Sequence, residues 1–483
     1  MLPVKLFWDY TMTQQAPNSL PEWENLIRHA LAVWTVGANE ANPFGTLSVI
    51  RERMKGGNLH TAISQLLEDA LLLLEDHSPK YAQLLRLRFH DKQPVRVVAV
   101  RLSLAESSIY RIQRDALQAL AEIVMEMESS SREATIGAFE ARLEAPTYFD
   151  LVGVDAHLCK LAEVLSADTS PWIVAIEGMG GVGKTALADA LMRRLIQQAN
   201  YYAFAWTTAR QDSGLGFQAA NAPVLSTDDL ILSLVNQLWG DAPGKPSSPS
   251  EALHALEYKL KTFPHIVVID NLETVSDVEL LLPTLRRLAR PSKFLLTSRQ
   301  SLYAETDVYH YPLPPLSLGD SIRLVRQEAR KENLSEISQW PDAELVSIFD
   351  VVGGNPLALL LVVGQCHFRP LPAVLADLVE ARGYRTERLY AHIYGKIWEN
   401  LDDLSRNLLL AMQLAPPRGE DQDFLVNVTG LDAEAVMDGI DKLMVLNLVD
   451  CTRDKYLYRY SIHSLTRSFL HTQAMKWLNE SSP

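Results

Sequence analysis

Between about residues 151 and 310 the chain alternates brief apolar runs with amphipathic stretches, the pattern of a parallel sheet flanked by helices. The runs Trp172–Ile176, Tyr202–Trp206, Ile266–Ile269, Phe294–Leu296 and Val308–Tyr311 each predict a strand. Two polar stretches, Gln211–Asp229 and Gly240–Ser250, interrupt the pattern, and the second reads as a surface loop. Helical spacing returns after Leu316 and persists to about 415; residues 418–475 read as shorter helices followed by a hairpin around Leu448–Tyr460. Nearer the start, Ile63, Leu66, Leu67, Ala70 and Leu71 recur at helical spacing within Leu59–Glu75, and 76–128 reads as a compact helical unit. Ser129, Ser130 and Ser131 then predict a break, and the stretch carrying Ile136, Phe139 and Leu143 leads to Pro146. The expected division is an N-terminal helical region 1–75, a helical unit 76–128, a linker 129–150, an α/β domain 151–310, a helical domain 311–392, a small domain 393–475 and a tail 476–483. The fold class is multidomain α/β plus α. No repeat of 20–50 residues is present.

Composition narrows the function class. The 483 residues are 47% hydrophobic and 22% charged, which excludes wholesale disorder and a fibrous repeat. Leu71–Leu74 and Leu357–Val363 fall far short of the roughly 18–20 apolar residues of a membrane span, so no membrane partner is expected. Met1–Tyr10 carries Asp9 inside its apolar patch and does not read as a secretory signal. Cys159, Cys366 and Cys451 lie far apart without metal-ligand spacing, which fits a cytoplasmic protein with no structural zinc. The net charge of −14 argues against nucleic acid, except where positive charge is concentrated.

The sharpest chemical signal follows the first apolar run. Gly178-Met-Gly-Gly-Val-Gly-Lys-Thr185, with a strand before it and Ala186–Ile196 as a helix after it, satisfies G-x-x-x-x-G-K-[ST] in the required context. Gly180, Gly181 and Gly183 let the backbone curl so that successive N–H groups point at phosphate oxygens. Lys184 supplies a cation for the β- and γ-phosphates, and the Thr185 hydroxyl can ligate Mg²⁺. The run Ile266–Ile269 ends in Asp270, placed to hold Mg²⁺ through water. Asn271 can orient a water but cannot take its proton; Glu273 is either the catalytic carboxylate or a solvated turn residue. Fast hydrolysis is therefore not indicated. Arg299, closing Thr297-Ser-Arg299, reads either as a surface residue or as a forked donor that distinguishes ATP from ADP.

In this order the motifs of 151–475 resemble the NB-ARC family of STAND ATPases. Leu151-Val-Gly-Val-Asp155 is similar to the family's adenine-side entry motif, Phe204–Thr208 to its second strand, and Gly353-Gly-Asn-Pro-Leu-Ala-Leu359 to its G-x-P-L segment. Tyr460-Ser-Ile-His-Ser464 stands where the family's winged-helix domain carries M-H-D. The resemblance implies that 151–310 is the nucleotide-binding domain and 393–475 a winged helix. It implies ATP or ADP, with Mg²⁺, held by Val152, Gly178, Gly180, Gly181, Val182, Gly183, Lys184, Thr185, Ala186, Pro356 and His463. It further implies a switch, closed with ADP and open and self-associating with ATP. Three departures matter: Val154 replaces an arginine, Asn271 an acid and Ser464 an aspartate.

Residues 80–118 hold eight basic residues, Lys80, Arg86, Arg88, Lys92, Arg96, Arg101, Arg111 and Arg114, against three acids, Asp91, Glu106 and Asp115. The segment Leu85–Ile123 resembles the fourth region of sigma factors, a helix-turn-helix that reads duplex DNA. Arg96, Arg101, Ser107, Ser108, Tyr110, Arg111 and Arg114 are the candidate DNA contacts, being small or basic residues of the types a major-groove helix uses. A three-helix adaptor meeting an acidic partner is the competing reading. The expected function is an ATP/ADP-controlled regulator with slow ATPase activity. An AAA+-like DNA-remodelling or loader ATPase and a non-hydrolysing NB-ARC adaptor in a defence complex are the alternatives. The ATPase core runs to within a dozen residues of the end, so the sensor is expected in 1–75, in a separate partner protein, or missing from this chain.

Overall fold

The computed structural model describes residues 19–34, 47–54, 59–148, 150–198, 201–209, 226–240, 245–246, 248–272, 275–299, 302, 305–379, 386–416, 419–454, 457–463, 465–467 and 469–471. They form two compact units, Met1–Arg142 with Leu195–Tyr202, and Leu143–Arg194 with Ala203–Pro483.

In the first unit the helices Leu20–Val33, Ser48–Arg53, Leu59–His77, Pro79–Leu85, Val95–Leu102 and Glu106–Glu140 enclose one core. Its centre holds Ile27, Leu66, Leu67, Leu71, Leu120 and Val124, the apolar positions of three amphipathic helices. The last helix runs straight through Ser129–Ser131, where the sequence predicts a break. The reason is tertiary. Glu128 is buried and accepts hydrogen bonds from the Ser48 and Val49 N–H groups, both at 2.9 Å, satisfying the N-terminus of Ser48–Arg53. Ser131, also buried, donates to Glu52. These polar residues face a helix rather than water.

The second unit is built on five parallel strands: β1 Ile173–Glu177, β2 Ala203–Thr208, β3 His265–Leu272, β4 Lys293–Ser298 and β5 Val308–Pro312. They lie in the order β2-β3-β4-β1-β5, and each predicted run falls on one of them. β1 and β4 are buried along their whole length, as expected of strands covered on both faces by helices. Lys293 opens β4 at 2% exposure; its Nζ donates to the carbonyls of Val164 (2.8 Å) and Thr169 (3.1 Å), and burial pushes it down to about 8. Beyond the sheet, Leu318–Lys331, Asp342–Val352, Pro356–Gln365, Leu371–Val379 and Thr386–Glu399 share a core with the last part of the chain. That part comprises Asp403–Ala411, Gln422–Thr429, Ala433–Val445 and the antiparallel hairpin of β6 Val449–Asp454 and β7 Leu457–Ile462. Ser317, Asp402, Asp421 and Asp432 cap their helices through side-chain oxygens. Among the described residues no single helix is long and apolar enough to cross a membrane.

Candidate functional site

The loop after β1 turns directly into the helix Lys184–Gln198. Gly181 (φ +75°) and Gly183 (φ +98°) occupy backbone conformations that L side chains rarely adopt, which is how the loop reverses within a few residues. Lys184 Nζ donates to the carbonyls of Gly178 (2.8 Å) and Met179 (2.9 Å), so its charge is held over the loop. Gly178, Gly180, Gly181, Val182, Gly183, Thr185 and Ala186 complete the turn and the first helical residues, where N–H groups lack intrahelical partners.

The acid side is assembled across the sheet. Because β4 lies between β3 and β1, Thr297 stands between the end of β3 and the loop. Asp270, 6% exposed, accepts from the Thr297 hydroxyl at 2.5 Å and from the Thr185 hydroxyl at 2.9 Å, both at Oδ1. The β3–β4 register shifts between Ile269 and Leu272, and Asn271 takes φ +67° there, a bulge that re-aims the adjacent carboxylate. The Asn271 N–H donates to Thr297 Oγ1 at 2.8 Å. A hydroxyl and a carboxylate oxygen at this separation suit a hard cation such as Mg²⁺. Glu273 lies outside the described residues.

Arg299 follows β4, its N–H donating to the Leu272 carbonyl at 3.2 Å. The chain beyond it is tied back to β1. Buried Glu177 accepts from the Leu302 N–H (2.8 Å) and pairs with His310 Nδ1 (2.8 Å), while His310 Nε2 meets the Glu305 carbonyl (3.0 Å).

Three segments distant in sequence reach the same loop. Asn355 Nδ2 donates to the Gly180 carbonyl (2.9 Å), and the Leu357 N–H to the Gly181 carbonyl (3.3 Å). The Tyr390 hydroxyl donates to Asn355 Oδ1 at 2.5 Å and lies 3.5 Å from the Gly180 carbonyl. Burial holds Tyr390 well above the usual tyrosine range, with the Ala358 N–H and the Arg299 charge opposing it. Leu465 packs on Gly180, within 3.1 Å of where a Cβ would stand. His463 Nδ1 accepts from the Leu465 N–H at 3.1 Å, which leaves the ring proton on Nε2. Pro356 opens its helix between Asn355 and Leu357. Val152 precedes Gly153, where an added Cβ would lie 3.0 Å from the Asp320 carboxyl. Ser464 lies outside the described residues.

Sequence reasoning missed Thr297, Asn355, Tyr390 and Leu465. Thr297 and Asn355 stand inside the motifs Thr297-Ser-Arg299 and Gly353–Leu359, where Arg299 and Pro356 carry the more conspicuous chemistry. Tyr390 and Leu465 carry no local signal.

In the first unit, Arg96 and Arg101 lie on Val95–Leu102, and Ser107, Ser108, Tyr110, Arg111 and Arg114 on the opening turns of Glu106–Glu140. Apart from the half-buried Ser108 they are exposed. Arg96 is 3.5 Å from Glu106 and Arg114 is 3.9 Å from Asp115, solvent-screened pairs worth little. Arg88 is instead structural, bonded to the Gln93 carbonyl and Gln113, and Arg86 pairs with Glu75.

Residues 154–318 match the model of the NB-ARC domain. The disease resistance-like protein DSC1 of Arabidopsis thaliana is 26% identical over 312 residues, 61% of this chain and 24% of that one. Disease resistance protein RPV1 of Vitis rotundifolia is 24% identical over 314 residues, 62% of this chain and 21% of that one. The chain thus spans less than a quarter of the length of these relatives. A STAND protein with a tetratricopeptide repeat sensor from Pyrococcus horikoshii matches at a TM-score of 0.43 and 15% identity, over 70% of this chain and 47% of that one.

Proposed function

Residues 154–318 form an NB-ARC domain, a nucleotide-binding P-loop module, and from that premise we propose that the chain is an ATP/ADP-dependent molecular switch. The observation that carries the reading is Leu465 on Gly180: the last part of the chain rests on the phosphate loop, so whatever the loop binds is felt there. Val152 and Pro356 flank the base. The N–H groups from Gly180 to Ala186 receive the phosphates with Lys184, the long Val182 N–H bond to the Met179 carbonyl (3.4 Å) being exchanged for phosphate. The Gly178 N–H stays on the Ser298 carbonyl (3.2 Å) and anchors the start of the loop. Thr185 and Asp270 would hold Mg²⁺, which supplies positive charge against the β- and γ-phosphates. His463 Nε2–H donates to the ADP β-phosphate and keeps the chain closed. Arg299 answers the γ-phosphate and favours the open, self-associating state. Inverting such an equilibrium from 1:99 to 99:1 takes about 5.5 kcal/mol of differential binding, within reach of several charge-assisted bonds. Hydrolysis is slow because Asn271 orients water without accepting its proton, whatever Glu273 adds. Duplex DNA bound through Arg96, Arg101, Ser107, Ser108, Tyr110, Arg111 and Arg114 is the output, acting in the cytoplasm, with a separate sensor protein as further partner.

Calorimetry of the full chain with ADP and ATP, repeated on Lys184→Ala, tests this, together with sedimentation in each nucleotide. Binding lost in the variant and a larger mass with ATP are expected. Unaltered affinity in Lys184→Ala, or equal mass with both nucleotides, overturns it.

A further inference from the structure

A loop that turns its N–H groups inward toward an anion turns carbonyls outward, and each outward carbonyl removed from water needs a donor. Lys184 serves the Gly178 and Met179 carbonyls from within the sheet domain, but for Gly180 and Gly181 the donors come from outside it. The Gly180 carbonyl accepts from Asn355 Nδ2 at 2.9 Å, and the Gly181 carbonyl from the Leu357 N–H at 3.3 Å. Asn355 is 4% exposed and its own oxygen accepts from Tyr390, itself 3% exposed, so the amide cannot rotate without breaking two bonds. The approach is so close that a Cβ on Gly181 would collide with the Tyr390 hydroxyl and stand 3.0 Å from Asn355 Oδ1. Tyr390 stacks on Tyr394 (centroids 6.0 Å apart) and Tyr394 on Phe469 (5.3 Å). Tyr394 also shares a 2.9 Å hydrogen bond with Thr466, beside Leu465.

We propose that Asn355 and Tyr390 are positioning residues for the phosphate loop. They hold its outward carbonyls so that its N–H groups converge, and they tie nucleotide binding to the docking of the helices beginning at Pro356 and Thr386. Neither residue touches nucleotide in this scheme. Removing them loosens the loop and, by reciprocity, removes the effect of nucleotide on those helices. The inference rests on the nucleotide-binding reading above.

The test uses the full chain and a fluorescent ADP analogue. Tyr390→Phe keeps the ring stack and deletes one donor; Asn355→Ala deletes both bonds. Losing one such bond is expected to weaken ADP about two- to tenfold, with faster release, and the Asn355 variant is expected to be the weaker binder. The readout that a merely structural role would not move is hydrogen exchange. Saturating ADP is expected to slow exchange across Thr386–Glu399 in the parent protein and to leave it unchanged in Asn355→Ala. Parent-like ADP affinity and release in both variants overturn the proposal, as does parent-like ADP protection in Asn355→Ala. If Asn355→Ala does not fold, Tyr390→Phe alone decides by the same two measurements. Failure of the parent protein to bind ADP at all would instead sink the underlying nucleotide reading.

Discussion

Thr297→Val replaces one buried hydroxyl by a methyl of nearly the same shape, at a residue 1% exposed. Two bonds disappear. The hydroxyl no longer donates to the Asp270 carboxylate, a 2.5 Å charge-assisted bond, and no longer accepts from the Asn271 N–H at 2.8 Å. A hydrogen bond to a charged group is worth about 1.5–3 kcal/mol, and an orphaned buried N–H costs about 1–3 kcal/mol. Asp270 keeps its bond from Thr185 and the Asn271 N–H is only half-buried, so the lower part of each range applies, and the loss totals roughly 2–4 kcal/mol. A chain of several domains does not unfold in one step, so the assay is native-state hydrogen exchange of β3 and β4. At about 1.36 kcal/mol per factor of ten, exchange there is expected to quicken roughly 30- to 900-fold. Thr297→Ser keeps the hydroxyl and is expected to restore most of the protection. Unchanged exchange in Thr297→Val, or a Ser variant as unprotected as Val, would refute the view that this hydroxyl organises the acid side of the site.

Asp450 on β6 is pushed up to about 6, chiefly by burial, with Glu328 adding to the rise and Lys331 opposing it. A carboxyl whose folded value lies above its ordinary 3.8 stabilises the fold fully below that value, and the contribution is lost as pH rises through about 6. Asp450→Asn is therefore expected to slow native-state hydrogen exchange of β6 and β7 relative to the parent at pH 7.5, with the advantage vanishing near pH 4; a pH-independent difference would contradict this. If duplex DNA is the output, full-chain affinity is expected to fall steeply with salt. Alanine at Arg101, Arg111 or Arg114 would then lower the log–log slope by about 0.9 for each phosphate that the missing arginine had neutralised. Binding that ignores salt, or slopes unmoved by these variants, favours the adaptor reading.

What the sequence determined alone is what depends on neighbours along the chain. The phosphate loop is contiguous: its reversals lie at Gly181 and Gly183, its cation at Lys184, and the N–H groups it offers belong to its own backbone. The strands were legible for a related reason, since a strand covered on both faces is largely apolar, and Asp270 declared itself as the polar residue that closes the apolar run of β3. Helix boundaries that rest on distant partners were not legible. Ser129–Ser131 read as a break because local hydrogen bonding by serine competes with helix, and only the position of Ser48–Arg53 shows that Glu128 and Ser131 point into structure. The same holds within the site. Thr297 meets Asp270 because β4 lies between β3 and β1, an order that no run of residues encodes. Asn355, Tyr390 and Leu465 meet Gly180 and Gly181 from far along the chain, where the outward carbonyls of a curled loop must find donors and its glycines leave room. Local chemistry made the loop readable; the need to satisfy its outer side, which only the packed chain can meet, decided what surrounds it.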